Sequence, residues 1–337
     1  RVTGEPSVTV EPSTPPPPGP TSLSGFVIRG IDADDQSGYS VSSAGDINAD
    51  GYDDVIVGAH FAGQVVGPDG SYYPGQSYIV FGKEDGYTAS LDLEDLDGVN
   101  GFTINGIDAN TWSGWSVSSA GDINNDDIDD IIIGAWKTNS GTGQSFVVFG
   151  KTDAERTADQ DYNADGNSDG HQGDSLNLSS LDGSDGFVFD GINANENIGF
   201  RVASAGDVNG DQIADILISG RGVNSSAGQT YVVFGKNSKV GETFDASFDA
   251  TSLDGNTGFV INGINAADQS AFKIASAGDM NNDGFDDILI GAPGFDNLGG
   301  SVTGQSYVVF GQSNADRIAD QTYNADGDGD GHQGDSL

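Results

Sequence analysis

Residues 45–54, GDINADGYDD, place oxygen-bearing side chains at Asp46, Asn48, Asp50 and Asp54, with Gly51 where a tight loop would bend. Carboxylates and amides alternating over so short a span suit a hard cation: calcium takes roughly six to eight oxygen ligands, and a short loop supplies them by turning alternate side chains inward. One copy of such a motif in an acidic protein also fits a solvated Asp/Asn/Gly turn between strands. The chain repeats it.

Four copies of SAGD, at 43–46, 119–122, 204–207 and 276–279, each open an acidic loop. An aliphatic run follows (VIVGA, IIIGA, ILISG, ILIGA), then GQ and an aromatic run ending in FG: SYIVFG (77–82), SFVVFG (145–150), TYVVFG (230–235) and SYVVFG (306–311). Ahead of the copies stand GFVIRGI (25–31), GFTINGI (101–107), GFVFDGI (186–192) and GFVINGI (258–264). Short runs of Val, Ile, Phe and Tyr bounded by Gly, Asn and Asp read as strands, and no helical period competes. Four such strands per unit, recurring every ~72–85 residues, predict the blades of a β-propeller.

The hydrophobic content (35%, with 17 Phe and 10 Tyr) is enough for packed cores despite a net charge of −40 from 52 Asp+Glu against 12 Lys+Arg. That charge excludes nucleic acid as a partner, since binding a phosphate backbone needs clustered Lys and Arg. Zero cysteines exclude disulfides, thiolate metal sites and thiol nucleophiles. No apolar run approaches the ~20 residues of a membrane-spanning helix. The start at Arg1, without Met or leader, is what a mature or excised segment would show. The sequence thus predicts a Pro-rich extended arm over 1–24, around EPSTPPPPGP (11–20), then a propeller over 25–337 with repeats at about 25–100, 101–185, 186–257 and 258–337.

The order strand, GD-[IVM]-N-x-D-x-x-x-D, aliphatic strand, GA, aromatic strand resembles the FG-GAP repeat of integrin α-subunit β-propellers and their bacterial extracellular relatives. The literal GAP stands only at Gly291, Ala292 and Pro293; the other copies read GAH, GAW and SGR. The resemblance implies calcium, with ligands carried over residue by residue. The first site is Asp46, Asn48, Asp50 and Asp54 with the carbonyl of Tyr52, and the second Asp122, Asn124, Asp126 and Asp130 with that of Ile128. The third is Asp207, Asn209, Asp211 and Asp215 with that of Ile213, and the fourth Asp279, Asn281, Asp283 and Asp287 with that of Phe285. The sixth loop position is Gly51 and Gly284 in the outer copies but Asp127 and Gln212 in the inner two. If it needs positive φ, the third site is expected to be the weakest.

Two inserts, 152–185 and 313–337, contain YNADGNSDGHQGDSL (162–176) and YNADGDGDGHQGDSL (323–337), which makes a pair of blades the unit of duplication. Asp165, Asn167, Asp169 and Asp174, with Asp326, Asp328, Asp330 and Asp335, approach an EF-hand loop but lack its twelfth-position Glu. A frame starting at Asp161 also fits the first insert. His171 and His332 lie within the inserts and are read as loop residues, because imidazole is a poor calcium ligand.

The function expected is a non-catalytic, calcium-stabilised extracellular structural or adhesive module. It would assemble with itself head to tail into a filament by strand donation, or act as a cell-surface adhesin for a protein or glycan. A propeller-type polysaccharide hydrolase or lyase is the remaining reading. It is disfavoured because nearly every polar residue recurs in all blades as scaffold, leaving His60 and the tryptophans Trp112, Trp115 and Trp136 as the non-repeating candidates. The tryptophans read as core or as a sugar-stacking surface. NLS at Asn177 and NSS at Asn224 permit N-glycosylation in a host that performs it. GFVIRGI opens the chain as an outer-type strand with no blade to hold it, and it would complete the last blade, in the same chain or a neighbouring one, unless further blades follow.

Overall fold

The aliphatic and aromatic runs become strands because β-branched and aromatic side chains fit a pleated, half-buried surface, and Gly, Asn and Asp end each run. The computed structural model of the chain describes residues 25–67, 70–87, 90–108, 110–162, 173–295 and 302–319. The arm at 1–24, and residues 163–172 and 320–337 of the inserts, lie outside the described residues.

In chain order the strands are β1 (Val27–Arg29), β2 (Ser40–Gly45), β3 (Asp54–Ala59), β4 (Val65–Gly67), β5 (Gly70–Tyr72), β6 (Gln76–Val80), β7 (Ser90–Asp92) and β8 (Gly101–Asn105). The second repeat gives β9 (Ser116–Gly121), β10 (Asp130–Ala135), β11 (Gln144–Val148), β12 (Ser175–Asn177) and β13 (Gly186–Asp190). The third gives β14 (Ile198–Gly206), β15 (Asp215–Gly220), β16 (Gln229–Val233), β17 (Ser247–Asp249) and β18 (Gly258–Asn262), and the fourth β19 (Lys273–Gly278), β20 (Asp287–Ala292) and β21 (Gln305–Val309). Apart from a β4–β5 hairpin, they pair in the orders β2–β3–β6–β8–β12, β9–β10–β11–β13–β17, β14–β15–β16–β18 and β19–β20–β21, with β1 on β7.

Innermost strands pack in succession, β2 on β9, β9 on β14 and β14 on β19, so the sheets follow one another around a shared inner edge. The fold is all-β and β-propeller-like. Apolar cores lie between neighbouring sheets: Ile56, Ile79 and Phe81 of the first meet Ile131, Ile133, Phe146 and Val148 of the second. Ile132, Val147 and Phe187 then meet Ile216, Ile218 and Tyr231 of the third, and Leu217, Val232 and Phe234 meet Ile288 and Ile290 of the fourth.

Each innermost strand ends in SAG, whose glycine (Gly45, Gly121, Gly206, Gly278) has φ between 64° and 79°. A register shift at that point turns the chain out of the sheet and into the acidic loop.

Three features depart from the sequence expectation. The first two sheets have a fifth strand beyond the four antiparallel ones: β12 lies parallel on β8 and β17 parallel on β13. These three-residue runs, SLN and SFD, are too short to show a period of two. Six-residue helices at Asp153–Ala158 and Asn314–Ala319 stand in the inserts where no helical period is visible; the first is nucleated by a Thr152/Glu155 capping box. Finally, β1 lies parallel on β7, and among the described residues β21 has no strand on its outer edge.

The first helix also delivers Arg156, 1% exposed, to the rim of the first inter-sheet core. Its guanidinium donates to the carbonyls of Gly98 and Gly173 and to Asp153, and lies 4.6 Å from the Phe81 ring centre. Arg317 repeats the arrangement with Gly255, Asn314, Phe234 and Phe259. Arg156→Ala removes hydrogen bonds to two carbonyls and the ring contact, so it should cost about 2–4 kcal/mol. Urea denaturation in calcium checks this, and an unmoved midpoint would show the arginine to be dispensable.

Candidate metal centre: four acidic loops

The four loops are built alike, atom for atom. In the first, Asp46 Oδ1 accepts from the Asp50 N–H at 3.0 Å and Asp46 Oδ2 from the Gly51 N–H at 2.8 Å. Asn48 Oδ1 accepts from the Asp50 N–H at 3.2 Å, and Asp50 Oδ1 from the Tyr52 N–H at 2.9 Å. The same bonds recur at Asp122, Asn124 and Asp126, at Asp207, Asn209 and Asp211, and at Asp279, Asn281 and Asp283. The oxygens at positions 1, 3 and 5 therefore gather on the loop's own N–H groups, the compact winding that alternate ligands require.

Position 9 does something else. Asp54 is 1% exposed; its Oδ2 accepts from the Ile47 N–H at 3.0 Å and its Oδ1 from the Gly82 N–H at 2.7 Å. Asp130, Asp215 and Asp287 make the equivalent pairs, so each loop is pinned to the FG glycine that ends the third strand of its sheet.

Burial pushes the Asp54 carboxyl up to about 7, although the Gly82 and Ile47 N–H groups pull the other way; Asp50 and Asp46 add to the rise. Burial likewise drives Asp130 and Asp215 well above the carboxylate range, and raises Asp126 and Asp211. These donors are hard oxygens only, which suits calcium or a similar cation and not a thiophilic metal.

Among the described residues, the carboxylates whose oxygens all lie within 4.8 Å of one another are Asp159, Asp161 and Asp185, not those of a repeat loop. That cluster already faces a cation: Lys151 Nζ lies 2.8 Å from Asp159 and 2.5 Å from Asp185. Burial opposes the ammonium charge, but the two carboxylates outweigh it and hold its pKa above the ordinary value. Of the insert residues named from sequence, Asp174 is buried beside β12, while Asp165, Asn167, Asp169, Asp326, Asp328, Asp330 and Asp335 lie outside the described residues, as do His171 and His332.

His60, 1% exposed, is enclosed by Tyr39, Phe61, Trp112 and Trp115, and burial lowers its pKa to about 4. Trp112, Trp115 and Trp136 form one ring cluster, with Lys137 Nζ 3.6 Å from the Trp112 ring centre.

Sequence reading missed the residue just before position 9. Asp129 Oδ2 accepts from the Asp46 N–H at 3.0 Å, and Asp286 Oδ2 from the Asp207 N–H at 2.9 Å, so a carboxylate of one sheet caps the loop of the sheet before it. The doubled Asp of YDD, IDD and FDD was the available signal; the third copy reads IAD and has no such clasp.

The sixth position is left-handed throughout, with φ 92° at Gly51, 76° at Asp127, 68° at Gln212 and 94° at Gly284. Gln212→Gly should therefore stabilise the third loop by up to about 1 kcal/mol, and Asp46→Ala should cost more than Asp207→Ala. Melting each variant in calcium ranks them, and equal losses would remove the ranking. The pH dependence follows from the raised carboxyls. Without metal, Asp54 takes up a proton on folding at any pH between its unfolded and folded values, so its contribution is fullest below about 4 and is lost as pH rises through about 7. A cation held by these loops would reverse the slope, since acid would then displace it. Melting temperatures from pH 4 to 8, before and after calcium removal, read both signs.

Comparison with known proteins agrees with this geometry. The FG-GAP repeat family model matches residues 37–80 and 274–309, the first and fourth copies. Integrin alpha pat-2 of Caenorhabditis elegans is 32% identical over 134 residues, and integrin alpha pat-2 of Caenorhabditis briggsae 30% identical over 134 residues. Each alignment covers 39% of this chain and 10% of the relative, so the chain matches about a tenth of the length of these integrins. No helix among the described residues is long and apolar enough to cross a membrane. With acidic loops of one geometry in four repeats, two of them matched by the family model, the chain carries FG-GAP repeats and is similar over part of its length to integrin α-subunits.

Proposed function

We propose that the chain is a non-catalytic, calcium-stabilised module of the extracellular or cell-surface space, adhesive or structural, in which each FG-GAP repeat forms one blade of a four-blade unit. The observation that carries this reading is the fourfold repetition of an oxygen-only loop whose ninth-position carboxylate is buried. Calcium enters as a folding cofactor, held by the side chains of Asp46, Asn48, Asp50 and Asp54 and the Tyr52 carbonyl, and by their counterparts in the other loops. It relieves the repulsion among carboxylates crowded beside strand ends. Similarity to integrin α-subunits supports an adhesion-type role, and the outer edge of β21, unpaired among the described residues, supports head-to-tail self-association, extending to a filament if the contact does not close.

A second reading, an adhesin for a protein or glycan, is favoured by one feature. An open cleft of about 570 Å³ is lined by Trp136 and Lys137 together with Asp108, Asn110, Asn195 and Asn197, polar groups beside an aromatic face as sugar recognition uses. Catalysis receives less support: His60 is walled in by rings, which suits packing.

Chelating calcium at pH 7.4 should lower the melting temperature by more than about 10 °C, because several sites binding the folded state alone each add stabilisation by mass action. Melting curves indifferent to EGTA would sink the calcium reading. Light scattering of the calcium-loaded chain against concentration separates self-association from a purely ligand-binding module.

A further inference from the structure

Every step from one sheet to the next repeats the same contacts. Ile47, Ile123 and Val208, the second residues of their loops, are exposed by 2% or less because the following sheet covers them. Their carbonyls accept the N–H groups of Lys151, Lys236 and Gln312 at 3.0, 2.8 and 3.0 Å. Met280 holds this position in the fourth loop and is 63% exposed. Leu289, Val308 and Phe310 are 39%, 40% and 54% exposed, whereas their first-sheet counterparts Ile56, Ile79 and Phe81 are at 2% or less. A Cβ on Gly45 or Gly206 would strike Asp129 or Asp286 of the following sheet, yet one on Gly278 would meet nothing within 4 Å. The fourth sheet thus presents, uncovered, a face that the other three bury.

The opposite end shows the complement. β1 lies on β7 with Val27, Ile28 and Arg29 beside Ser90, Leu91 and Asp92, as Thr103, Ile104 and Asn105 lie beside Ser175, Leu176 and Asn177. Ile28, Leu91, Leu93 and Leu96 pack with Val57, Tyr78 and Val80 on the first sheet, just as Ile104, Leu176, Leu178 and Leu181 belong to one core with Ile133, Phe146 and Val148 of the second. Among the described residues, β1 and β7 are therefore placed as the outer two strands of a sheet without its inner three, and β19–β20–β21 as an inner three without its outer two.

We propose that the two vacancies fill each other between copies of this chain, giving a composite sheet β19–β20–β21–β1–β7 with three strands from one copy and two from the next. This rests on the self-association proposed above and specifies its joint. Continuity with the established interfaces sets the register. Gln76, Ser77, Tyr78, Ile79 and Val80 pair antiparallel with Asn105, Ile104, Thr103, Phe102 and Gly101, so Gln305, Tyr307 and Val308 of one copy pair with Arg29, Val27 and Phe26 of the other. Phe310 then stacks near Phe26 as Phe81 does near Phe102, 5.9 Å apart. Lys83 N–H reaches the Met280 carbonyl, and Asp53, exposed in the single chain, caps the Asp279 N–H as Asp129 caps Asp46. A second copy is favoured over the chain's own far end because β2 packs on β9 and β19 on β14, while Val41 of β2 is 65% exposed and Met280 beyond β19 is equally bare.

The chain has no cysteine, so an introduced pair reports without ambiguity. Paired residues on antiparallel strands have Cα atoms about 4.5–5.5 Å apart, within disulfide range. Full-length Phe26→Cys and Val308→Cys chains, mixed in calcium and oxidised, should give a covalent dimer that neither variant forms alone, and the double variant should give covalent multimers. A double variant that links only within a single chain overturns the proposal in favour of a ring closed by the chain's own strand. Multimers of the unmodified chain with no cross-link in the mixture overturn this joint but leave self-association standing; a chain that stays monomeric in calcium overturns both. Phe310→Ser, at an exposed position, guards against misfolding of the cysteine variants. It should leave the melting temperature of the dilute monomer unchanged and weaken self-association by about tenfold or more. Unweakened assembly counts against the composite sheet.

Discussion

Asp54, Asp130, Asp215 and Asp287 are enclosed carboxylates that each accept two backbone N–H groups, one from the start of the acidic loop and one from the glycine that ends the third strand. Placing a carboxylate there costs desolvation free energy, as the upward push on Asp54, Asp130 and Asp215 records. Two charge-assisted hydrogen bonds offset part of that cost. A cation held by the same loop would offset more, so loop and sheet are coupled: whatever steadies the loop also fixes where the inner three strands meet.

The same loops join the sheets to one another. Asp129 and Asp286 reach back to cap the preceding loop, and carbonyls of the loops' second residues receive N–H groups from the following sheet. Between the second and third sheets the carboxylate is replaced by Ala214, and a 3.4 Å backbone contact from its N–H to the Asp122 carbonyl remains. Apolar packing fills the space outward from these contacts, and Arg156 and Arg317 plug two of the rims. A chain without cysteine thus staples its repeats by hydrogen bonds at one end of each interface, with guanidinium plugs at the other end of two of them.

An arrangement held together by nearest-neighbour steps has no intrinsic stopping point. Each step buries one face and leaves the next bare, so an array of this kind needs a cap, a closure or a partner at its ends. Among the described residues, the bare face of the fourth sheet and the β1–β7 pair correspond to parts of the repeat that meet one another within the first two sheets. The adhesive reading and the self-associating reading draw on different surfaces, the cleft beside Trp136 and the edge of β21 respectively, so one molecule can serve both.

The sequence by itself determined the fourfold repeat, the all-β class, the inner strands and the acidic loops with their glycine-favouring sixth position. These are local: a strand's period and a turn's φ depend on residues a few places apart. Tertiary structure alone decided the rest. SLN and SFD become fifth strands only because β8 and β13 offer them an edge, and Arg156, in an insert read as loop, finds Gly98 fifty-eight residues away. Asp129 reads like any other carboxylate in an acidic run, and its role as a clasp exists only once Asp46 of the preceding sheet lies within 3.0 Å. β1 reads from sequence as an outer strand for the last sheet, of this chain or of a neighbour, but its position within the chain, on β7 and against the first sheet, is set by the apolar surface of Val57, Tyr78 and Val80, which no local pattern assigns. Partner choice among near-identical repeats is decided by which faces packing leaves uncovered.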